Sequence, residues 1–193
     1  MSELPRLLVI ADARTVGGRL RAVVAEAVHC GARAVVLRAR ELPTAPRLEL
    51  AAAVRQLLAP VGGLLIMAGG RGDAVHLAAR EPFPEPRPAL VGRSCHDTEE
   101  VSRAAAQGCD YVTVSPVYPT PSKPGYGPAL GPSGLAALCR PGLPVFALGG
   151  VTPDAVPECL EAGAYGVAVM GPILRSPTIV TEYLERLSQW THP

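Results

Sequence analysis

The sequence predicts an α/β fold built on buried parallel strands. Eight short apolar runs, near-continuous rather than alternating, recur along the 193 residues, as expected for strands buried on both faces. Amphipathic stretches separate most of them, which is the pattern of strands alternating with crossover helices. Several runs lead directly into small polar or charged residues, as at the carboxyl ends of barrel strands. We therefore predict a single (β/α)8 barrel over residues 1–193, with a doubly wound open sheet as the competing arrangement.

The predicted strands follow from these apolar runs and cover residues 7–10, 34–37, 63–67, 75–77, 90–92, 111–114, 145–148 and 166–170. Amphipathic spacing predicts helices over 18–30, 48–58 and 178–189. Asp97 with Glu100 three residues later resembles a capping box and predicts a helix to Gln107. Thr152 followed by Pro153 predicts another helix start.

Two segments depart from the alternation of strands and helices. The residues between Met67 and Val75 are few and rich in glycine, so we expect no crossover helix between the third and fourth strands. The stretch 80–88 has proline at every second position from Pro82, which predicts an extended loop.

Composition excludes several classes of function. The net charge is +1 and the arginines are scattered, so the basic patch of a nucleic-acid-binding protein is missing. No apolar run is long enough to span a membrane, and the N-terminus does not resemble a signal peptide. We expect a cytoplasmic protein without nucleic-acid or membrane partners. The five cysteines form no C-x-x-C pair and are expected to be buried reduced thiols rather than catalytic groups.

Glycines follow the seventh and eighth predicted strands. Gly149 and Gly150 lead from one strand into a helix start, and Gly171 follows the other with Met170 before it. In α/β barrels these two loops jointly form a phosphate site, and glycine lets the backbone approach an anion closely. The alternative is that the glycines serve the geometry of the turn alone.

The loop after the sixth strand groups Thr120, Ser122 and Lys123 among prolines. Hydroxyl groups and one ammonium suit the oxygens of a phosphate or diphosphate. A solvated surface loop is the alternative. Prolines would give the loop a preset shape.

Two arginines end the second strand, and two histidines are candidate acid/base groups. Arg38 and Arg40 alternate in phase, and would repel each other unless an anion or Glu41 lies nearby. His96 and His76 lie just past and within predicted strands; either is a candidate proton-transfer group, although strand histidines are more often structural.

Beyond these local patterns, residues 90–173 contain four pieces in a distinctive order and spacing: GRSCHDTEE, GCDYVTVSPVYPTPSK, PVFALGGVTPD and AGAYGVAVMGPI. Together they resemble the thiamine phosphate synthase/TenI superfamily. The resemblance implies a (β/α)8 barrel that binds a hydroxyethylthiazole phosphate in thiamine biosynthesis. Within this superfamily, synthases join a hydroxymethylpyrimidine diphosphate to the thiazole phosphate with loss of diphosphate, using Mg²⁺. Tautomerases of the TenI type aromatise the thiazole by proton transfer and need no metal.

The resemblance places thiazole-phosphate groups on Gly149, Gly150, Met170 and Gly171, and diphosphate contacts on the following residues: Ser94, Thr120, Ser122 and Lys123. It also shows departures. Met67-Ala68 stand where synthases carry Asn-Asp, the second of which binds Mg²⁺. The other metal carboxylate falls on Glu81. Pro116 stands where typical tautomerases have histidine.

We therefore expect a tautomerase without a cofactor. Its predicted catalytic residues are His96, Lys123 and Arg38, and Arg40 is predicted to bind substrate. His76 and Glu81 are alternative proton carriers. The alternatives are a divergent Mg²⁺-dependent synthase, with Glu81 as the candidate ligand, and a non-catalytic phosphate-ligand-binding or regulatory protein. The expected partner is a small phosphorylated heterocycle, and a homo-oligomer is compatible with the sequence.

Overall fold

Eight parallel strands close into a barrel in the computed structural model of the chain, with each strand paired to its neighbours in sequence and β1 paired to β8. The structure describes residues 4–69, 72–120, 128–139 and 142–190. The predicted (β/α)8 barrel is confirmed, and the open sheet is excluded because β1 and β8 are hydrogen-bonded. The strands are β1 (Leu7–Asp12), β2 (Ala34–Arg38), β3 (Leu64–Ala68), β4 (Ala74–Leu77), β5 (Leu90–Cys95), β6 (Tyr111–Val114), β7 (Val145–Leu148) and β8 (Gly166–Val169).

Helices surround most of the barrel. They are α1 (Ala13–Val16), α2 (Leu20–His29), α3 (Thr44–Leu58), α4 (Thr98–Ala106), α5 (Gly131–Leu138), α6 (Val156–Glu161), α7 (Gly171–Arg175) and α8 (Val180–Gln189). Among the described residues none of these helices is long and apolar enough to cross a membrane.

Both predicted helix starts are observed, and they differ in their capping. The Asp97 side chain accepts a hydrogen bond from the Glu100 N–H at the start of α4, as the capping pattern predicts. At Thr152 the predicted start is confirmed, because Thr152 is the N-cap residue and Pro153 begins the helical segment. The Thr152 side chain makes no capping bond, however, and Pro153–Ala155 form a 3-10 turn before α6.

In the part of the chain that the structure describes, no helix follows β3 or β4. Only residues 69–73 join these strands, and residues 78–89 lead from β4 to β5 without a described helix. The predicted loss of the helix after the third strand is therefore confirmed. The outward side chains Val75 and Leu77 are nevertheless buried, and Phe83 from the proline-rich loop packs against the same apolar layer.

Two separate apolar layers stabilise the barrel. One fills its interior and includes Leu8, Val36, Ile66 and Phe146. The other lies between strands and helices. Because side chains alternate along a strand, the residues two positions beyond these interior residues face the barrel axis at its carboxyl end. The sequence therefore places polar groups at the carboxyl end of the barrel wherever the inward alternation of a strand ends on a polar residue.

Candidate active site

The carboxyl end of the barrel carries polar side chains at the last inward positions of several strands. Asp12, Arg38 and Ser94 continue the inward alternation of β1, β2 and β5, and Ser115 continues that of β6. In barrels of this type, reactions take place at this end. We refer to the opening that these four residues line as the mouth.

Arg38 is paired with a carboxylate that the sequence patterns did not single out. Its Nη1 lies 3.5 Å from Oδ2 of Asp12, which is buried. Asp12 also accepts the Arg14 N–H at the start of α1. Glu41, one of the two alternatives for relieving repulsion between the arginines, instead lies 3.9 Å from Arg14. Asp12 takes the place beside Arg38 because β1 and β2 pair in register there, and register is not visible in the sequence.

Arg40 is held by a second carboxylate and by a glycine. Its Nη2 lies 2.6 Å from Oε2 of Glu81, and its Nε donates to the Ala68 carbonyl at 3.4 Å. The guanidinium lies against Gly69, where φ is 69° and a Cβ atom would be 2.6 Å from Cζ of Arg40. The Arg38 and Arg40 side chains remain 43% and 44% exposed, so a ligand in the mouth can reach both.

The turn that carries Glu81 is held in place by a buried arginine. Arg93, on the outer face of β5, is 1% exposed. Its Nη1 donates to the carbonyl oxygens of Ala78, Ala79 and Glu81 at 3.1, 3.1 and 2.7 Å. These carbonyls belong to the segment that replaces a helix, so the guanidinium satisfies backbone groups that helical bonds would otherwise take. Sequence reasoning missed Arg93.

Two histidines differ in their surroundings. His76 is buried in the barrel, with Nδ1 3.0 Å from the Tyr111 hydroxyl and Nε2 3.0 Å from Ser94 Oγ. Burial, with help from the charges of Arg40 and Arg93, lowers the pKa of His76 to about 4. It is therefore neutral at physiological pH, and both of its ring nitrogens are engaged by side chains within the barrel. Its role as an alternative proton carrier stays a prediction.

His96 lies at the mouth just after β5 and is half-buried. Its Nδ1 is 2.7 Å from the Ser115 carbonyl oxygen, and its backbone N–H donates to Glu100 at 2.8 Å. A carbonyl can only accept, so Nδ1 carries a hydrogen. This fixes the orientation of the ring and leaves Nε2 as the basic nitrogen when the ring is neutral. Cys95 beside it is buried, and burial raises the pKa of its thiol to about 12, in keeping with the expected inert thiols.

The glycines after β7 support close packing between two loops. Gly149 and Gly150 have φ of 91° and 68°, and Cβ atoms there would crowd Pro116 and the backbone of Tyr118 and Pro119. The Val117 and Tyr118 N–H groups donate to Leu148 and Gly149. Turn geometry therefore accounts for both glycines, and phosphate binding at them stays a prediction.

The remaining predicted site residues follow β8 and β6. Met170 precedes α7 and Gly171 begins it; β8 pairs with β7, so this edge adjoins the Gly149 loop as expected. Thr120 is the last residue before the undescribed segment 121–127, so Ser122 and Lys123 lie outside the described residues.

The residues that the structure describes contain no group of three or more His, Cys, Asp or Glu side chains arranged to hold a metal ion. Glu81, the candidate ligand for Mg²⁺, uses one carboxylate oxygen for both Arg40 and the Ala78 N–H. At the end of β3, Met67 and Ala68 offer no side-chain oxygen. The donor set therefore does not fit a metal site built by the protein alone.

A closed eightfold barrel with arginines, a serine and a half-buried histidine around its mouth defines the class of α/β-barrel enzymes. The family model described as thiamine monophosphate synthase matches residues 7–173. The chain therefore belongs to the thiamine monophosphate synthase family, as the resemblance predicted.

Relatives and solved structures agree with this assignment. A putative thiamine-phosphate synthase from Geobacter sulfurreducens is 42% identical, with 89% of this chain and 87% of the relative covered. A thiamine-phosphate synthase from Methanoregula boonei is 34% identical over 90% and 88% of the two chains. The structure of a thiamine phosphate pyrophosphorylase from Pyrococcus furiosus superposes with a TM-score of 0.83 at 25% identity, covering 95% and 96%. The predicted enzyme class of thiamine biosynthesis is confirmed, whereas none of these names specifically supports the tautomerase.

Proposed function

We propose that the chain is a thiamine phosphate synthase, which joins hydroxymethylpyrimidine diphosphate to hydroxyethylthiazole phosphate and releases diphosphate. The observation that carries the proposal is the pair of accessible arginines, Arg38 and Arg40, at the mouth of a barrel whose relatives are named for this activity. The cytoplasmic location and the oligomeric state stay predictions.

The reaction needs charge stabilisation more than proton transfer. The bond between the pyrimidine methylene carbon and the diphosphate oxygen breaks, and its electron pair leaves with the diphosphate. The thiazole nitrogen supplies its lone pair to the same carbon and becomes positively charged. No proton has to move, so a neutral buried His76 and the absence of a histidine at Pro116 are no obstacle. The demand falls on groups that stabilise the leaving diphosphate.

Arg38 and Arg40 are suited to this demand because guanidinium groups bind phosphate oxygens through paired N–H donors. Each now binds a carboxylate, Asp12 or Glu81, which a diphosphate would partly replace. Ser94 adds a hydroxyl donor within the same mouth. Thr120, Ser122 and Lys123 are further proposed contacts, on the resemblance, and Gly149, Gly150, Met170 and Gly171 are proposed to hold the thiazole phosphate.

The resemblance implies Mg²⁺ for a synthase, but the donor set here does not fit a protein-built metal site. We therefore attribute stabilisation of the leaving group in this chain to its guanidinium groups. Titration with Mn²⁺ in the absence of substrate provides a measurement independent of activity. Little binding is expected, and tight binding abolished by Glu81→Gln would contradict this view.

The deciding experiment supplies both substrates to the purified protein, with Mg²⁺ or with excess chelator, and follows thiamine phosphate and released diphosphate. Equal amounts of the two products are expected. Arg38→Gln and Arg40→Gln should each lower the rate by at least about tenfold, the cost of one charged hydrogen bond. Absence of thiamine phosphate under both conditions would reject the synthase.

His96 favours the tautomerase as a second candidate, because the Ser115 carbonyl orients its ring with Nε2 as the basic nitrogen. For this activity, the protein should catalyse proton exchange at the thiazole ring of the phosphate substrate, and His96→Gln should abolish the exchange. If neither reaction occurs but thiazole phosphate raises the melting temperature, the chain is a non-catalytic binder.

A further inference from the structure

Three side chains form a continuous line of hydrogen-bonding groups from the barrel interior to the mouth. The Tyr111 hydroxyl lies 3.0 Å from Nδ1 of His76, and Nε2 of His76 lies 3.0 Å from Oγ of Ser94. Tyr111 is on β6 and His76 is on β4, so the tyrosine has to reach across β5. Gly92 permits this, because a Cβ atom at Gly92 would overlap the Tyr111 ring.

The buried end of this line determines the direction of the hydrogen bonds. Tyr111 is fully buried and packs edge-on against Phe146. Its hydroxyl hydrogen needs an acceptor there, because a buried unpaired donor is costly. Among the described residues, the atom that this hydroxyl contacts within hydrogen-bond distance is Nδ1 of His76. Tyr111 therefore donates, and Nδ1 carries the lone pair.

The neutral imidazole then has its hydrogen on Nε2. That hydrogen points to Ser94 Oγ at 3.0 Å, with Thr113 Oγ1 a longer contact at 3.4 Å. Burial keeps the ring neutral by lowering the pKa of His76. Ser94 Oγ therefore accepts from within the barrel, and its own hydrogen is available toward the mouth, where Ser94 is half-buried.

We propose that Tyr111 and His76 are positioning residues that make Ser94 a dedicated hydrogen-bond donor to an anionic oxygen of the ligand. The line favours ligand groups that accept hydrogen bonds, such as phosphate or diphosphate oxygens, over groups that only donate. Only the identity of that anion, the diphosphate of the substrate, rests on the proposed function.

The direction of the line is tested by NMR on protein labelled with ¹⁵N in histidine. The wild-type spectrum should show His76 with hydrogen on Nε2 and an unprotonated Nδ1. Tyr111→Phe removes the hydroxyl but keeps the ring, and should turn His76 into a mixture of tautomers. Tyr183→Phe is the matched control, since Tyr183 is also buried but donates to the Val151 carbonyl; it should leave the His76 signals unchanged.

The consequence for the ligand is tested by calorimetric titration with inorganic diphosphate. Ser94→Ala and Tyr111→Phe should each weaken binding several-fold, and the double variant should bind no more weakly than Ser94→Ala alone, because Tyr111 acts through Ser94. A wild-type His76 with hydrogen on Nδ1 would overturn the proposal, as would additive losses in the double variant. If the His76 tautomer and the diphosphate titrations are as expected but no thiamine phosphate is formed, the synthase is rejected and the proposal about Ser94 stands.

Discussion

The Arg40 guanidinium lies 2.6 Å from the Glu81 carboxylate and joins the end of β2 to the helix-free segment after β4. The pair lies where a ligand entering the mouth would compete with Glu81 for Arg40. The ion pair is partly exposed, and such pairs contribute little to folding stability. Its importance is therefore expected to lie in the affinity for anions.

The first prediction concerns this competition. Glu81→Gln keeps an oxygen for the Ala78 N–H but removes the charge, so inorganic diphosphate should bind several-fold more tightly at low salt. Arg40→Gln should weaken binding by about tenfold. Calorimetric titration measures both. Arg87→Gln is the control, because Arg87 is equally exposed and pairs with Asp110 at the opposite end of the barrel; an equal effect there would indicate general electrostatics.

The second prediction separates backbone strain from the position of Arg40. Gly69 and Gly62 have φ of 69° and 61°, but only at Gly69 would a Cβ meet the Arg40 guanidinium; at Gly62 nothing lies within 4 Å. Alanine at either position should lower the free energy of unfolding by about 1 kcal/mol. Only Gly69→Ala should weaken diphosphate binding. Unchanged binding in Gly69→Ala would show that the glycine does not position Arg40.

The third prediction concerns Arg93. Arg93→Met leaves three carbonyls of the 78–81 turn without their shared donor, so the free energy of unfolding should fall by about 3 kcal/mol. Urea denaturation measures this. Arg33→Met is the control, since exposed Arg33 also donates to two carbonyls, of Val28 and Ala32, and should lose well under about 1 kcal/mol. Similar losses in both variants would remove any special role of burial.

The fourth prediction is a pH dependence of stability. Burial lowers the pKa of His76 from 6.5 to about 4 in the folded chain, so acid favours the unfolded state, which binds the proton more readily. The contribution is present above about pH 6.5 and is lost as the pH falls toward 4, by about 3 kcal/mol in total.

Urea midpoints of wild type and His76→Gln between pH 7 and pH 4.5 measure this contribution. The slope of the urea midpoint against pH is compared between the two proteins, which separates the effect of His76 from that of the carboxylates, since these titrate in both. This slope should be shallower in His76→Gln than in wild type. It should be unchanged in His29→Gln, because His29 is exposed at the end of α2. An unchanged slope in His76→Gln would contradict the assignment.

Local patterns were sufficient for the strands and for part of the helical layer. The predicted and observed bounds coincide for β6 and β7. The link between β3 and β4 is too short for a helix, and this is evident from the sequence alone. The helices α5 and α7 were not predicted, because α5 contains two glycines and a proline and α7 is only five residues long. The packing of the whole barrel stabilises such helices, and propensity along the chain does not reveal it.

By itself, the sequence determined the barrel, the family and most of the polar residues after its strands, although not Asp12, because these depend on apolar periodicity and on residues near one another in the chain. Only the tertiary structure decided which of these residues meet. Asp12 reaches Arg38 and Tyr111 reaches His76 through strand register and a missing Cβ at Gly92. Such contacts join residues far apart in the chain, and their distances are set by closure of the barrel, to which every strand contributes.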